Sequence, residues 1–292
     1  ILDDVRRGGE DVVRDYALKL DAWAPEAGFR VPAEDLKAAA EALSEDDRNA
    51  ILAAADAVRR FHAEQGYRAY EVQTWPGARA GRRVTPIDVA GLYVPAGTAP
   101  LVSTLIMLAV PAQLAGVPQI AVIAPPRKGQ GVEPTVLAAA HLLGVEDVYA
   151  IGGAHGVAAL GLGVAGLPKA DKIFGPGNAY VAAAKRQVFG TVGIDSIAGP
   201  SEILVIADAD NDPDWVAIDL LSQAEHDEAA QAILITDDSD FADAVDAAVE
   251  AMLATLPRAD VACKSWHDNG AIITVDDMQS MPELANRIAA EH

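Results

Sequence analysis

A chain of 292 residues, 51% of them hydrophobic, is long enough for two ordinary domains and can fill their cores. A formal net charge of -21 repels nucleic-acid phosphates, so a nucleic-acid partner is excluded and cationic small molecules are favoured. The longest apolar runs, such as 105–110, are core-sized and fall short of the ~20 residues a membrane-spanning helix needs, so no membrane partner is expected.

No basic-then-apolar leader is legible at the start of the chain, which opens on Ile1, stops at His292 and reads as a piece of something longer. The single cysteine, Cys263, excludes an intramolecular disulfide and a multi-cysteine zinc cluster, and it reads as a small apolar filler. A cytoplasmic setting is the expectation.

In chain order, residues 1 to about 66 are helical in pattern. Val5, Val12, Val13, Tyr16 and Leu20 recur at helical spacing, as do Leu36, Ala40 and Leu43, and Ser44 before Asp46 and Asp47 suits a cap for the helix carrying Ile51, Leu52 and Val58. From about residue 87 strand-like runs at 89–93, 120–124, 147–151 and 172–174 alternate with helical runs at 103–115, 134–143, 155–160 and 179–188. A second series follows: strand 203–207, a helix through Leu220, strand 232–236, helix 240–253, strand 271–275 and a last helix toward His292. Apolar strands alternating with helices indicate parallel sheets covered on both faces, hence two doubly wound α/β units with a ligand cleft at or between their strand ends. The expected division is a helical part at 1–86 belonging to a first, discontinuous domain, a domain at 87–200, and a unit at 201–292 that completes the first. The Pro- and Gly-containing stretch 125–131 is a loop, too short to be a linker.

Gly161-Leu162-Gly163-Val164-Ala165-Gly166 matches the dinucleotide fingerprint G-x-G-x-x-G but lacks its context. Phosphate recognition needs a strand before the glycines and a helix N-terminus after them. Here a helical run precedes and Leu167-Pro168-Lys169 follows, so the match is refused.

Other segments have the right context. Gly175-Pro176-Gly177-Asn178 follows a strand and opens a helix, which frees backbone N–H groups for an anion or a cofactor amide; a purely structural turn explains the spacing equally. Residues 91–100 run from a strand through a glycine- and proline-punctuated loop, with Tyr93 placed to stack on a ligand or to fill the core. Ala198-Gly199-Pro200-Ser201-Glu202 joins the two series, with Ser201 a cap or a ligand contact. Gln223 and His226 lie three apart on one helical face and can converge on one point, although glutamine is an unusual zinc donor. Glu291 and His292 form a carboxylate–imidazole couple suited to acid–base work near neutrality.

In order, Gly91-Leu92-Tyr93-Val94-Pro95, Gly152-Gly153-Ala154, Asp171-Lys172-Ile173-Phe174-Gly175-Pro176-Gly177-Asn178, Ala183-Ala184-Lys185-Arg186, Ala198-Gly199-Pro200-Ser201-Glu202, Ser222-Gln223-Ala224-Glu225-His226 and Glu291-His292 resemble the histidinol dehydrogenase family over nearly the whole chain. The resemblance implies two incomplete Rossmann-like domains, one discontinuous, and an intertwined homodimer with a shared active site. It implies oxidation of L-histidinol through L-histidinal to L-histidine, with NAD and zinc. Tyr93 and Asn178 then match NAD-contacting positions, Ser201 a substrate contact, Gln223 and His226 zinc ligands that border the substrate, and Glu291 and His292 the catalytic pair, which also touches substrate. His155 stands where the family has an NAD-contacting glutamine. The family's remaining zinc ligands, an aspartate and a histidine, fall beyond His292. A relative acting on another alcohol, such as a sulfonated propanediol, and an inactive homologue serving as a binding module are the alternatives.

Overall fold

The structure is a computed structural model that describes residues 1–95, 101–127, 129–197 and 199–292. The 96–100 part of the loop after the first strand of the α/β series, Lys128 of the 125–131 loop and Ala198 lie outside the described residues. The chain divides into two compact units, Ile1–Ile197 and Ala198–His292.

The first unit begins with three helices, α1 (Leu2–Asp21), α2 (Ala33–Glu41) and α3 (Glu45–Ala63). Ser44 caps α3 as its sequence suggests, its hydroxyl accepting from Asp47 N at 3.0 Å. A hairpin of β1 (Tyr70–Trp75) and β2 (Ala78–Arg82) follows. Then come β3 (Val89–Tyr93), α4 (Val102–Leu114), β4 (Gln119–Ala124), α5 (Pro134–Leu142), β5 (Asp147–Ala150), α6 (Gly153–Leu162), β6 (Lys172–Phe174), α7 (Ala179–Val188) and β7 (Gly193–Ile194). The five strands β3 to β7 are parallel and stand in the order β5-β4-β3-β6-β7. Strand succession reverses between β3 and β6, which is the crevice where open α/β sheets hold ligands.

Why the sheet is buried on both faces follows from its sequence: Ala121, Val122, Ile123 and Ala124 of β4 have no polar side to give to water. One face packs against α1, α6 and α7 through Val5, Val13, Val157, Leu160 and Val181. The other packs against α2 to α5 through Leu36, Ala55, Leu105, Val110 and Val136. The helical start of the chain therefore belongs to the same cores as β3 to β7. The apolar stripes of α1 to α3 are consumed within the first unit. The stretch before β3 is also not wholly helical, because β1 and β2 intervene.

The second unit comprises β8 (Glu202–Ile206), α8 (Pro213–Ala224), β9 (Gln231–Thr236), α9 (Ser239–Leu253), α10 (Ala259–Asn269), β10 (Ala271–Thr274) and α11 (Met281–Ile288). Its three parallel strands stand in the order β10-β9-β8. Helices α8, α9 and α10 cover one face through Leu220, Val245 and Trp266, while Met281, Leu284 and Ile288 of α11 cover the other. Asp212 and Asp238 cap α8 and α9, each carboxylate accepting a backbone N–H in the first turn. Beyond α11 the chain returns to the free edge of β8. His292 N donates to Glu202 O at 3.1 Å and Leu204 N donates to His292 O at 3.0 Å, the pattern of a parallel pair.

Candidate active site

The site residues of the first unit lie at the carboxyl ends of β3 and β6. Gly175 is the pivot, with φ +119, a conformation that only glycine adopts freely. A side chain there would also begin 2.2 Å from Tyr93 O, so the turn after β6 and the end of β3 touch through backbone alone. Asn178 then caps α7: its carboxamide oxygen accepts from Tyr180 N and Val181 N, both at 3.1 Å. With the oxygen so used, the exposed NH2 group of Asn178 is left to donate outward beside the α7 N-terminus. That arrangement suits a cofactor's amide carbonyl or phosphate.

Tyr93 and His155, the other two residues expected to contact the cofactor, are buried. Tyr93 is 4% exposed, and its hydroxyl accepts from Gly153 N at 3.3 Å. Burial pushes its phenol up to about 12 against the partial relief of the Gly153 hydrogen bond, with nearby Asp21 adding to the rise. His155 is fully buried in α6; its Nε2 meets Asp21 Oδ2 of α1 at 3.1 Å, and its Nδ1 has no partner. Both rings are buried on the α1 side of the sheet. Of the three expected cofactor residues, only Asn178 presents a polar group at the surface.

The refused glycine motif behaves as its context requires. Gly163, with φ +69, ends α6 as a left-handed cap, so these glycines stop a helix rather than open one.

In the second unit the site residues collect at the amino-terminal edge of the sheet. Ser201 precedes β8, and its carbonyl accepts from Gln231 N, the first residue of β9, at 3.0 Å. Glu291 and His292 are exposed and are brought to the start of β8 by the His292–Glu202 pairing. Helix α8 runs back along the sheet, so its C-terminus, with Gln223 and His226, reaches the same edge.

Gln223 and His226 fit the start of a zinc site. His226 Nδ1 lies 2.7 Å from Ser222 O, and since a carbonyl only accepts, Nδ1 carries the proton and Nε2 is free to bind a metal. Donation of the second ring nitrogen to a backbone carbonyl is the usual support for a metal-bound imidazole. Gln223 is 7% exposed, with its carboxamide nitrogen buried and unpartnered. That nitrogen is a hydrogen-bond donor, so a metal would be held through the carboxamide oxygen of Gln223 instead. Among the described residues, no group of three or more His, Cys, Asp or Glu gathers as a metal cage.

Sequence reasoning quoted Lys185 within a motif but gave it no role, and it passed over Asp195 and Asp21. Lys185 left a signal: with Val181, Ala184 and Val188 it lies on the buried stripe of α7, where a charge is out of place. Asp195 and Asp21 left none, because their partners are distant in sequence.

These features define the class: an α/β protein of Rossmann-like units with a glycine-pivoted turn at a topological switch point and an imidazole-bearing sheet edge. A family model described as histidinol dehydrogenase matches residues 1–292. The chain is 53% identical to the histidinol dehydrogenase of Rhizobium meliloti (strain 1021), with 100% of this chain and 67% of the relative covered. It is 50% identical to that of Rhodospirillum rubrum, covering 100% of this chain and 68% of the relative. The crystal structure of histidinol dehydrogenase from Elizabethkingia anophelis superposes with a TM-score of 0.91 at 37% identity, over 100% of this chain and 67% of that one. The chain belongs to the histidinol dehydrogenase family, whose members are NAD-dependent, zinc-binding oxidoreductases.

Proposed function

We propose that the protein oxidises L-histidinol to L-histidine through L-histidinal, the closing steps of histidine biosynthesis, as a cytoplasmic homodimer with a shared active site. The observation that carries this reading is the α8 terminus, where a tautomer-fixed His226 and a buried, underpartnered Gln223 share the sheet edge that holds Ser201, Glu291 and His292. Gln223 and His226 would contribute to holding zinc, which would supply a Lewis acid that orients the substrate. NAD, when bound, accepts the hydride of each oxidation.

The chain's own residues do the remaining work. Asn178 donates its amide to the cofactor at the head of α7, while Tyr93 and His155 hold the wall behind it. Ser201 contacts the substrate. His292 takes the hydroxyl proton of the alcohol, Glu291 activates the water that hydrates the aldehyde, and His292 serves again in the second oxidation. Both side chains are exposed at the end of an edge pairing, so they can meet a substrate without unpacking a core.

Support for a dimer comes from the β1–β2 hairpin. Every residue of both strands is exposed, including Tyr70, Val72 and Trp75, and a solitary two-stranded hairpin is marginal in water. A cytoplasmic setting is supported by the free thiol of Cys263, the sole cysteine.

The test measures NADH formation separately from L-histidinol and L-histidinal. His292→Ala should depress both steps by about 100-fold or more, and Glu291→Gln should chiefly depress the aldehyde step. Gln223→Ala and His226→Ala should lower zinc content. Turnover of a sulfonated propanediol in place of histidinol, or equal loss in both steps for Glu291→Gln, would overturn the assignment or its division of labour respectively.

A further inference from the structure

The carboxyl end of β6 contains an ion pair to which no role has been given. Lys185, on the buried stripe of α7, has a side chain only 4% exposed, and it pairs with Asp195, whose side chain is 29% exposed. Neither group turns toward solvent for its hydrogen bonds. Lys185 Nζ donates to Gly175 O at 2.9 Å, and Asp195 Oδ2 accepts from Gly175 N at 2.8 Å. Both backbone polar groups of Gly175 are therefore taken by this one pair.

The placement of Asp195 explains the two-residue strand β7. Gly193 and Ile194 pair with Lys172 and Ile173, and Asp195 N goes on to donate to Ile173 O at 3.1 Å. The ladder sets the Asp195 carboxylate opposite the first residue after β6. Lys185 arrives from the other direction, on the second turn of the helix that the Asn178 cap begins. The pair thus closes a ring: β6, the Gly175 turn, α7, Lys185, Asp195, β7 and back to β6.

A turn without this closure would be poorly fixed. Gly175 has the widest backbone freedom of any residue type, and at φ +119 it sits in a region that local sterics do not enforce. Pro176 and Gly177 contribute no side-chain hydrogen bonds. What holds the turn is the buried pair, and a change of Gly175 would swing Asn178 and the first N–H groups of α7 together.

We infer that Lys185 and Asp195 are positioning residues for the cofactor: they lock the 175–178 turn so that Asn178 and the α7 N-terminus face the nicotinamide nucleotide. The inference rests on the reading of Asn178 as an NAD contact. It predicts that loss of the pair weakens cofactor binding selectively, because Ser201, Gln223, His226, Glu291 and His292 belong to the other unit.

The experiment titrates the zinc-loaded enzyme with NADH and measures KM for NAD and for L-histidinol. Three variants are compared with the parent: Lys185→Met/Asp195→Leu, Asp195→Asn and Asn178→Ala. The double variant replaces the buried pair with apolar groups of similar size, an exchange that buried ion pairs often tolerate without loss of folding. NADH binding should weaken by about 10-fold or more in the double variant and by a smaller factor in Asp195→Asn, since hydrogen bonds to charged groups are stronger than neutral ones. KM for NAD should rise in step, and KM for histidinol should move much less. NADH binding within about twofold of the parent in the folded double variant, while Asn178→Ala weakens it, would overturn the positioning role alone. Unchanged binding in Asn178→Ala would overturn the reading of the turn itself. Should the double variant fail to fold, Asp195→Asn decides: an equal rise in both KM values marks a merely structural pair.

Discussion

Single residues in this protein are set by what surrounds them more than by their type. Tyr93 shows this most directly. Its ring looks like a ligand platform in sequence, yet the hydroxyl is spent on Gly153 N and the ring lies in the core. Burial raises its phenol from 10.0 to about 12, so folding favours the protonated form. The stabilisation is whole below pH 10, where the unfolded phenol is also protonated, and is lost as pH rises toward 12 and the unfolded state alone ionises. Tyr93→Phe should therefore lower stability at pH 8 by about 1 kcal/mol through the lost Gly153 bond. It should also flatten the fall in unfolding free energy above pH 10, a fall on the order of 2–3 kcal/mol in the parent. Denaturant unfolding of both proteins across that range reads the difference, and parallel curves would remove the assignment.

His226 makes the opposite case: exposed, but with its tautomer chosen by Ser222 O. Its helical spacing from Gln223 was legible in the sequence because α8 is a regular helix and spacing fixes a shared face. That the Gln223 amide would be buried was not legible, since burial depends on what packs against the helix end.

Elements were legible where periodicity is long. The strand and helix runs of both units fall within a few residues of their sequence patterns, because alternating apolar strands and amphipathic helices can be satisfied in few ways. The elements missed are those with little periodicity of their own. Hairpin strands β1 and β2 bury neither face, β7 is two residues long, and α10 follows α9 after a short break that reads as a continuation. The return of the last residues to β8 was also unreadable, as edge pairing by backbone leaves no pattern in side chains. Hydrogen exchange tests it: the amides of Leu204 and His292 should exchange at least about 10-fold more slowly than that of Glu291, which has no backbone partner among the described residues. Equal rates would mean that the Glu291–His292 couple is not held against Glu202.

At the scale of the whole molecule, the two units carry complementary halves of the proposed chemistry. The proposed cofactor residues stand at the carboxyl ends of strands in the first unit, whereas the proposed substrate and metal residues stand at the amino-terminal edge in the second. The second arrangement departs from the usual preference of open sheets for their carboxyl ends. There, the corresponding position holds Asp208, Asp210, Asp237 and Asp238, a cluster of carboxylates that would repel a nucleotide. The exposed hairpin belongs to this scale as well. Sedimentation equilibrium should give twice the chain mass of 30.4 kDa, and Trp75→Glu should shift the population toward single chains. A monomer in the parent would remove the shared-site reading.

The sequence by itself determined the α/β class, the parallel sheets and the order of the motif segments, because each depends on apolar periodicity or on neighbours within about four positions. The tertiary structure decided that α1 to α3 complete the first unit and that Tyr93 and His155 are core residues. It also decided that Lys185 and Asp195 clamp Gly175. Each of these rests on contacts between residues far apart in the chain, such as Asp21 with His155, and only the packing of whole elements brings such groups together.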